Sequence, residues 1–122
     1  MGIMYFFDTY ALFEDIYGNS NYEKYKSFPF KICILNIAEF YAGLLRDFGE
    51  KTAVEIYNRF NFDVLEITEK IVIEAVNFRH EHKKQKISLP DAVGYLLAKN
   101  YGLKFLTGDK EFEKFDNVEF VK

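Results

Sequence analysis

The sequence is poor in residues that crosslink or interrupt a chain: among 122 residues there are one cysteine, two prolines and no tryptophan. Cys33 alone forms no internal disulfide and lies in an apolar stretch, so we expect it to be buried in a protein of the reducing cytoplasm. No apolar segment approaches the roughly 20 residues that span a membrane. The apolar residues 3–7 end at Asp8 with no basic segment before them, unlike a secretion signal. We expect no membrane contact and a single domain over residues 1–122.

The charge balance excludes little. Sixteen Lys and Arg against nineteen Asp and Glu leave a net charge of −3, which argues against a classical basic nucleic-acid binder. A nuclease is not excluded, because carboxylates that hold metal ions count as negative until the ions bind. Fourteen Phe and nine Tyr predict an aromatic core, with some rings on a protein-binding surface.

Short apolar stretches alternate with helical spacings along the chain. The apolar stretches predict buried parallel strands at residues 3–7, 32–35, 64–67, 104–106 and 118–121. Between them we expect helices at residues 10–17, 51–60 and 110–115, a helical turn at 22–26, and helices that begin near Asn36, Thr68 and Ser88. This alternation predicts an α/β fold with a mostly parallel sheet and helices on both faces.

Four acidic residues fall where these strands are expected to end. Asp8 follows the first strand directly, and Asp109 follows residues 104–106 by three positions. Glu39 and Asp91 lie in the expected first turns of the helices that begin near residues 36 and 88. Because open parallel sheets bind ligands at the carboxyl ends of their strands, we expect the four acids to converge there.

Each acid taken alone also fits a helix cap. Residues 36–39 and 88–91 have the spacing of a capping box, and Asp8 and Asp109 are suitable N-caps. Together, however, clustered carboxylates repel and raise one another's pKa, a cost that a divalent cation removes. Oxygen ligands without a His or Cys cluster suit Mg²⁺ or Mn²⁺. Such an ion lowers the pKa of a bound water and stabilises charge on a phosphate, so the site predicts phosphodiester hydrolysis.

Four segments carry a resemblance to a known family: residues 5–12 (YFFDTYAL), 36–40 (NIAEF), 88–92 (SLPDA) and 106–112 (LTGDKEF). In their order and spacing they resemble the PIN-domain ribonucleases, including the VapC-type toxins of prokaryotic toxin-antitoxin pairs. The resemblance covers essentially the whole chain. It implies a three-layer α/β/α sandwich with a parallel sheet and a Mg²⁺-dependent endoribonuclease. It also implies a homodimer and, for a toxin, an antitoxin partner.

The resemblance assigns roles to particular residues. It implies that the metal-binding, catalytic acids are Asp8, Glu39, Asp91 and Asp109. Thr9 and Thr107 match hydroxyl positions near the site, where we expect them to orient carboxylates or a water; simple cap or turn roles are the alternative. The family often has a further acid beyond the fourth, and here the choice between Glu111 and Glu113 stays open. Pro90 stands where a small or polar residue is common.

The segment at residues 79–86 is rich in basic residues and precedes Asp91 closely. Lys83, Lys84 and Lys86 are therefore candidates for contacts with RNA phosphates, against the alternative of a solvated helix face. His80 and His82 are two positions apart on a predicted helix and point to different faces, so we do not expect them to share a metal.

Two other functions fit parts of the pattern. A receiver-type phosphoacceptor domain needs adjacent acids after its first strand and an acceptor Asp after its third. Here Asp8 is followed by Thr9, and Asp63 precedes its strand. A catalytically inactive RNA- or protein-binding module on the same fold is the third candidate, and the intact set of acids argues against it.

Overall fold

A single parallel sheet forms the centre of the computed structural model, which describes residues 2–122. Its strands are β1 (Tyr5–Phe7), β2 (Phe30–Cys33), β3 (Asp63–Leu65), β4 (Lys104–Thr107) and β5 (Val118–Phe120). They lie in the order β3-β2-β1-β4-β5, and every neighbouring pair is parallel. The predicted α/β class is confirmed, and the sheet is wholly parallel.

Four α-helices connect the strands: α1 (Thr9–Ile16), α2 (Ile34–Tyr57), α3 (Glu69–Glu81) and α4 (Leu89–Asn100). Two further segments, Ser20–Ser27 and Lys110–Phe112, are 3₁₀ helices. The backbone of α2 leaves the helical conformation at Gly49, whose φ is 81°, so its second part corresponds to the separate helix predicted at residues 51–60. Within residues 2–122, every helix is too short or too polar to cross a bilayer.

Local signals set several helix ends. The Thr68 hydroxyl accepts the backbone N–H of Ile71 at 3.3 Å and begins α3, as predicted. The Ser88 hydroxyl accepts the N–H of Asp91 at 3.2 Å and begins α4. Gly102, with a φ of 68°, lies just beyond the end of α4 and provides the left-handed turn that stops it.

The sheet separates two apolar cores because successive side chains of a strand point to opposite faces. Phe6 lies in the core beneath α3 and α4, whereas its neighbours Tyr5 and Phe7 lie in the core beneath α1 and α2. The predicted three-layer α/β/α sandwich is therefore confirmed. The prediction of an aromatic core is also confirmed, since the fully buried side chains include Phe6, Phe40, Tyr95, Phe105 and Phe112.

Several predicted boundaries were wrong. β2 covers residues 30–33 rather than 32–35, and α2 begins two residues before Asn36. The reason is that the Asn36 side chain accepts the backbone N–H of Cys33 at 2.9 Å, which makes Cys33 the N-cap. Glu39 consequently lies in the second turn of α2 and does not close a capping box. Other boundaries differ as well: β1 begins at 5, β3 covers 63–65, β4 ends at 107 and β5 ends at 120. Among the helices, α1 covers 9–16, the turn at 22–26 is a 3₁₀ helix over 20–27, the second part of α2 ends at 57, and the helix at 110–115 is a 3₁₀ turn over 110–112.

Helix α4 approaches the sheet closely at Gly94. A Cβ at this position would lie 3.0 Å from the Phe6 ring and 3.3 Å from the Phe105 ring. We expect Gly94→Val to lower the free energy of unfolding by about 1–3 kcal/mol, because both rings are fully buried and have no room to move. Urea unfolding measures the loss. The exposed substitution Asn77→Val in α3 controls for the helix propensity of valine, and equal stabilities of the two variants would contradict this packing.

Candidate metal centre at the carboxyl ends of the strands

Asp8 begins the site at the end of β1. It is 4% exposed, and its backbone N–H donates to the carbonyl of Leu106 at 3.0 Å, which joins β1 to β4. One carboxylate oxygen, Oδ1, accepts the backbone N–H of Thr9 at 2.9 Å and caps α1. The other, Oδ2, accepts the hydroxyl of Thr107 at 2.7 Å. Asp8 is therefore both a helix cap and a buried acid held by a neighbouring strand.

Thr107 links two of the predicted acids. It is fully buried at the end of β4, and its hydroxyl oxygen accepts the backbone N–H of Asp109 at 3.1 Å while its proton goes to Asp8. Asp109 in turn accepts the N–H of Glu111 at 3.0 Å and caps the 3₁₀ turn. Gly108 makes this connection possible, since a Cβ there would lie 2.3 Å from the Tyr10 ring.

Glu39 is held by Thr9 rather than by its own helix terminus. The Thr9 hydroxyl donates to Oε1 of Glu39 at 2.7 Å, and the side-chain amide of Asn36 donates to the Thr9 oxygen at 3.1 Å. The residue pattern predicted a helix start at Asn36 but not this contact with Thr9. The one available signal was an amide-bearing residue three positions before Glu39.

Burial and neighbouring carboxylates raise the pKa of Asp8 and of Asp91. Burial and then the charge of Asp91 raise the pKa of Asp8 to about 8, although hydrogen bonds from Thr107 and Thr9 act in the opposite direction. Burial and then the charge of Glu39 raise the pKa of Asp91 to about 6, with a smaller contribution from Asp109. The tertiary structure thus places Asp91 within electrostatic range of Asp8, Glu39 and Asp109, and Asp8 within range of Glu39.

These four acids have no basic partner: among residues 2–122, no Lys, Arg or His lies within 4.0 Å of their carboxylates. The described part of the chain also contains no group of three or more His, Cys, Asp or Glu side chains arranged to hold a metal ion together. The acids instead accept hydrogen bonds from neighbouring hydroxyl and amide groups. A shared cation would therefore require some of these carboxylates to turn towards one another.

The basic segment is connected to the turn that follows Asp109. The backbone N–H of Lys86 donates to Oε1 of Glu111 at 2.9 Å, which ties this loop to the turn that follows Asp109. Glu111 thus has a loop contact, and Glu113 is exposed nearby. Lys83, Lys84 and Lys86 are all exposed.

The two histidines differ in their surroundings. His80 is exposed at the end of α3, whereas the His82 ring packs against Phe78 and Phe115 with centroid distances of 4.5 and 4.9 Å. Neither belongs to a metal-binding group in the described residues.

The raised pKa of Asp8 makes the stability of the metal-free protein depend on pH. The folded state retains a proton up to about pH 8, whereas an unfolded Asp releases it near 3.8, so stability from this group falls as the pH rises between these values. In EDTA, we expect the melting temperature of Asp8→Asn to exceed that of the wild type by an amount that grows from pH 5 to pH 8. Each kcal/mol by which the wild type loses unfolding free energy relative to the variant corresponds to about 4 °C. Thermal unfolding followed by circular dichroism measures this difference.

A constant difference between the two proteins over this range would contradict the prediction.

Comparisons with known proteins agree with this architecture. A chain of a toxin–antitoxin complex from Klebsiella pneumoniae is 23% identical with a TM-score of 0.74, over 94% of this chain and 95% of that one. VapC20 of Mycobacterium tuberculosis, described as a toxin that cleaves the sarcin-ricin loop, is 19% identical with a TM-score of 0.78, over 98% and 99%. A chain of DNA-bound VapBC from Salmonella typhimurium is 17% identical with a TM-score of 0.75, over 98% of each chain.

At such identities these likenesses show the shared fold. No curated protein matches the sequence. The family model described as PIN domain, by contrast, matches residues 5–118, which include all four acids at the carboxyl ends of the strands. This chain therefore belongs to the PIN domain family.

Proposed function

We propose that this protein is a divalent-metal-dependent endoribonuclease that uses Mg²⁺ or Mn²⁺ and the carboxylates of Asp8, Glu39, Asp91 and Asp109. The observation that carries the proposal is the burial of Asp8 beside Asp91 without a basic partner among residues 2–122. Such an arrangement is unfavourable unless a proton or a cation neutralises it. Membership of the PIN domain family supports nuclease activity as the function of this site.

The donor set fits a hard cation, since it consists of carboxylate oxygens with no His or Cys among them. When bound, the cation lowers the pKa of a water molecule and stabilises negative charge on a phosphate. The protein's own part is to hold the ligands: Thr107 orients Asp8, and Thr9 orients Glu39. To hold a cation, Asp8 would have to be in its deprotonated form, which would couple metal affinity to pH.

The partners follow from the same reading. Several structural neighbours are toxin–antitoxin complexes. We therefore propose that this chain is a toxin that acts in the cytoplasm. Its antitoxin partner would place an arginine side chain against the carboxylates of the site. An exposed apolar stretch of α3, formed by Val72, Ile73 and Val76, supports packing against a second copy of the chain.

Removal of one buried carboxylate tests the catalytic proposal. We expect Asp8→Asn or Asp91→Asn to reduce Mg²⁺-dependent cleavage of RNA by at least about a hundredfold, because each removes a negative ligand, while the fold survives. A gel assay with a mixed RNA substrate, with and without EDTA, measures the loss. Asp63→Asn is the matched control, since Asp63 is an exposed acid at the opposite end of the sheet.

Full activity of Asp8→Asn would end this mechanism. Equal cleavage in the presence of EDTA would show that the reaction does not depend on a metal ion. Absence of cleavage together with RNA binding would favour the inactive binding module.

The basic segment is tested by its effect on RNA binding. We expect the triple substitution Lys83→Ala, Lys84→Ala and Lys86→Ala, made in Asp8→Asn to prevent cleavage, to weaken binding of labelled RNA. This loss should be smaller at high salt. The slope of log K against log salt concentration should be shallower by about 1–2 in the triple variant, because fewer counterions are released from the phosphates when it binds. Fluorescence anisotropy at several salt concentrations measures both quantities.

The control replaces three exposed lysines elsewhere, Lys24, Lys51 and Lys70, by alanine. Equal losses in the two triple variants would mean that only net charge matters, and the segment would then have no special place in binding.

A further inference from the structure

Asn36 is a buried side chain that the proposed mechanism has not yet used. It is 2% exposed in the first turn of α2, and both ends of its amide are hydrogen-bonded. Oδ1 accepts the backbone N–H of Cys33 at 2.9 Å, and Nδ2 donates to Oγ1 of Thr9 at 3.1 Å. Asn36 therefore joins the end of β2 to the beginning of α1.

The direction of these bonds is determined by the donors. The backbone N–H of Cys33 needs an acceptor, so the oxygen of the Asn36 amide faces it and the NH₂ group faces Thr9. Thr9 accepts this N–H through its hydroxyl oxygen, so its single proton is free to be donated. That proton goes to Oε1 of Glu39 at 2.7 Å.

A helix cap alone does not require this arrangement. Capping the N–H of Cys33 uses only Oδ1, and a serine hydroxyl can accept such a local bond. The second bond, from Nδ2 to Thr9, engages a hydroxyl whose other partner is one of the four acids. Because the contact is buried, an unpaired group there is costly, which keeps the chain of bonds in one arrangement.

We propose that Asn36 is a positioning residue that fixes the Thr9 hydroxyl and thereby holds one oxygen of Glu39, so that the other oxygen can turn to a divalent cation shared with Asp8. The inference rests on the proposed metal-dependent function. It assigns Asn36 no contact with the cation or with RNA. One oxygen of Glu39 is engaged by Thr9, and the second remains for the cation.

The test is a double-mutant cycle on Mn²⁺ affinity measured by isothermal titration calorimetry in the absence of RNA. Asn36→Ser keeps an acceptor near Cys33, but its side chain is one bond too short to reach Thr9. Thr9→Val removes the hydroxyl and keeps the shape. We expect each substitution to weaken Mn²⁺ binding by about tenfold, as for other groups that orient metal ligands. The double variant should be no weaker than either single variant, since both break the same chain of bonds.

Tyr95→Phe is the matched control for a loss of stability. The Tyr95 side chain is buried in the core beneath α3 and α4, and its hydroxyl lies 2.6 Å from the carboxylate and 2.8 Å from the carbonyl oxygen of Asp116. We expect this variant to melt at a lower temperature and to bind Mn²⁺ with unchanged affinity. Circular dichroism of every metal-free variant verifies that it is folded before titration.

The outcomes separate the two proposals. Wild-type affinity in Asn36→Ser, or additive losses in the double variant, would overturn the role of Asn36 and leave the metal site standing. A wild-type protein that binds no Mn²⁺ would overturn both. Weaker binding in Tyr95→Phe equal to that in Asn36→Ser would show a general stability effect and likewise overturn the inference.

Discussion

The burial of Asp8 next to Asp91 is the interaction on which the other features of this site depend. Burial is the main reason why the pKa values of both carboxyl groups are raised; the charge of Asp91 adds to the shift of Asp8, and the charge of Glu39 adds to that of Asp91. Asp8 is buried in spite of this unfavourable free energy because it is also the residue that follows β1 and caps α1. Two neutral donors to Asp8, the Thr107 hydroxyl and the Thr9 backbone N–H, offset part of the cost without supplying a positive charge. A charge of +2 is therefore the natural complement of the site.

The capping role of an acid does not exclude the ligand role that we propose for it. Asp8 uses one oxygen to cap α1 and presents the other to Thr107, and Asp109 caps the following 3₁₀ turn. A helix N-terminus collects acids for electrostatic reasons, and a parallel sheet brings several such termini to one edge. The family's architecture thus concentrates negative charge by ordinary local rules. Glu39 is the exception, since a contact with another helix, not a cap, holds its side chain.

Much of the fold could be predicted because its signals are local. The order of strands and helices, the break at Gly49 and the caps at Thr68 and Ser88 each depend on a few neighbouring residues. The start of α2 could not be predicted in this way, because it depends on a buried hydrogen bond from the backbone N–H of Cys33 to the Asn36 side chain. The free energy of that bond depends on the other contact of Asn36, which is with Thr9. The close approach of Gly108 to the Tyr10 ring, just before the 3₁₀ turn at residues 110–112, likewise joins residues far apart in the chain.

The pattern of residues alone was enough to establish a parallel α/β sheet, its alternating helices and the four acids expected at one edge, since periodicity and chain order carry that information. Only the folded chain settled which neighbour each acid has. Thr107 meets Asp8 across 99 positions and Thr9 meets Glu39 across 30, and such pairings arise from strand register and helix placement. No local rule encodes them, because the free energy of a long-range hydrogen bond exists only once both surroundings have formed.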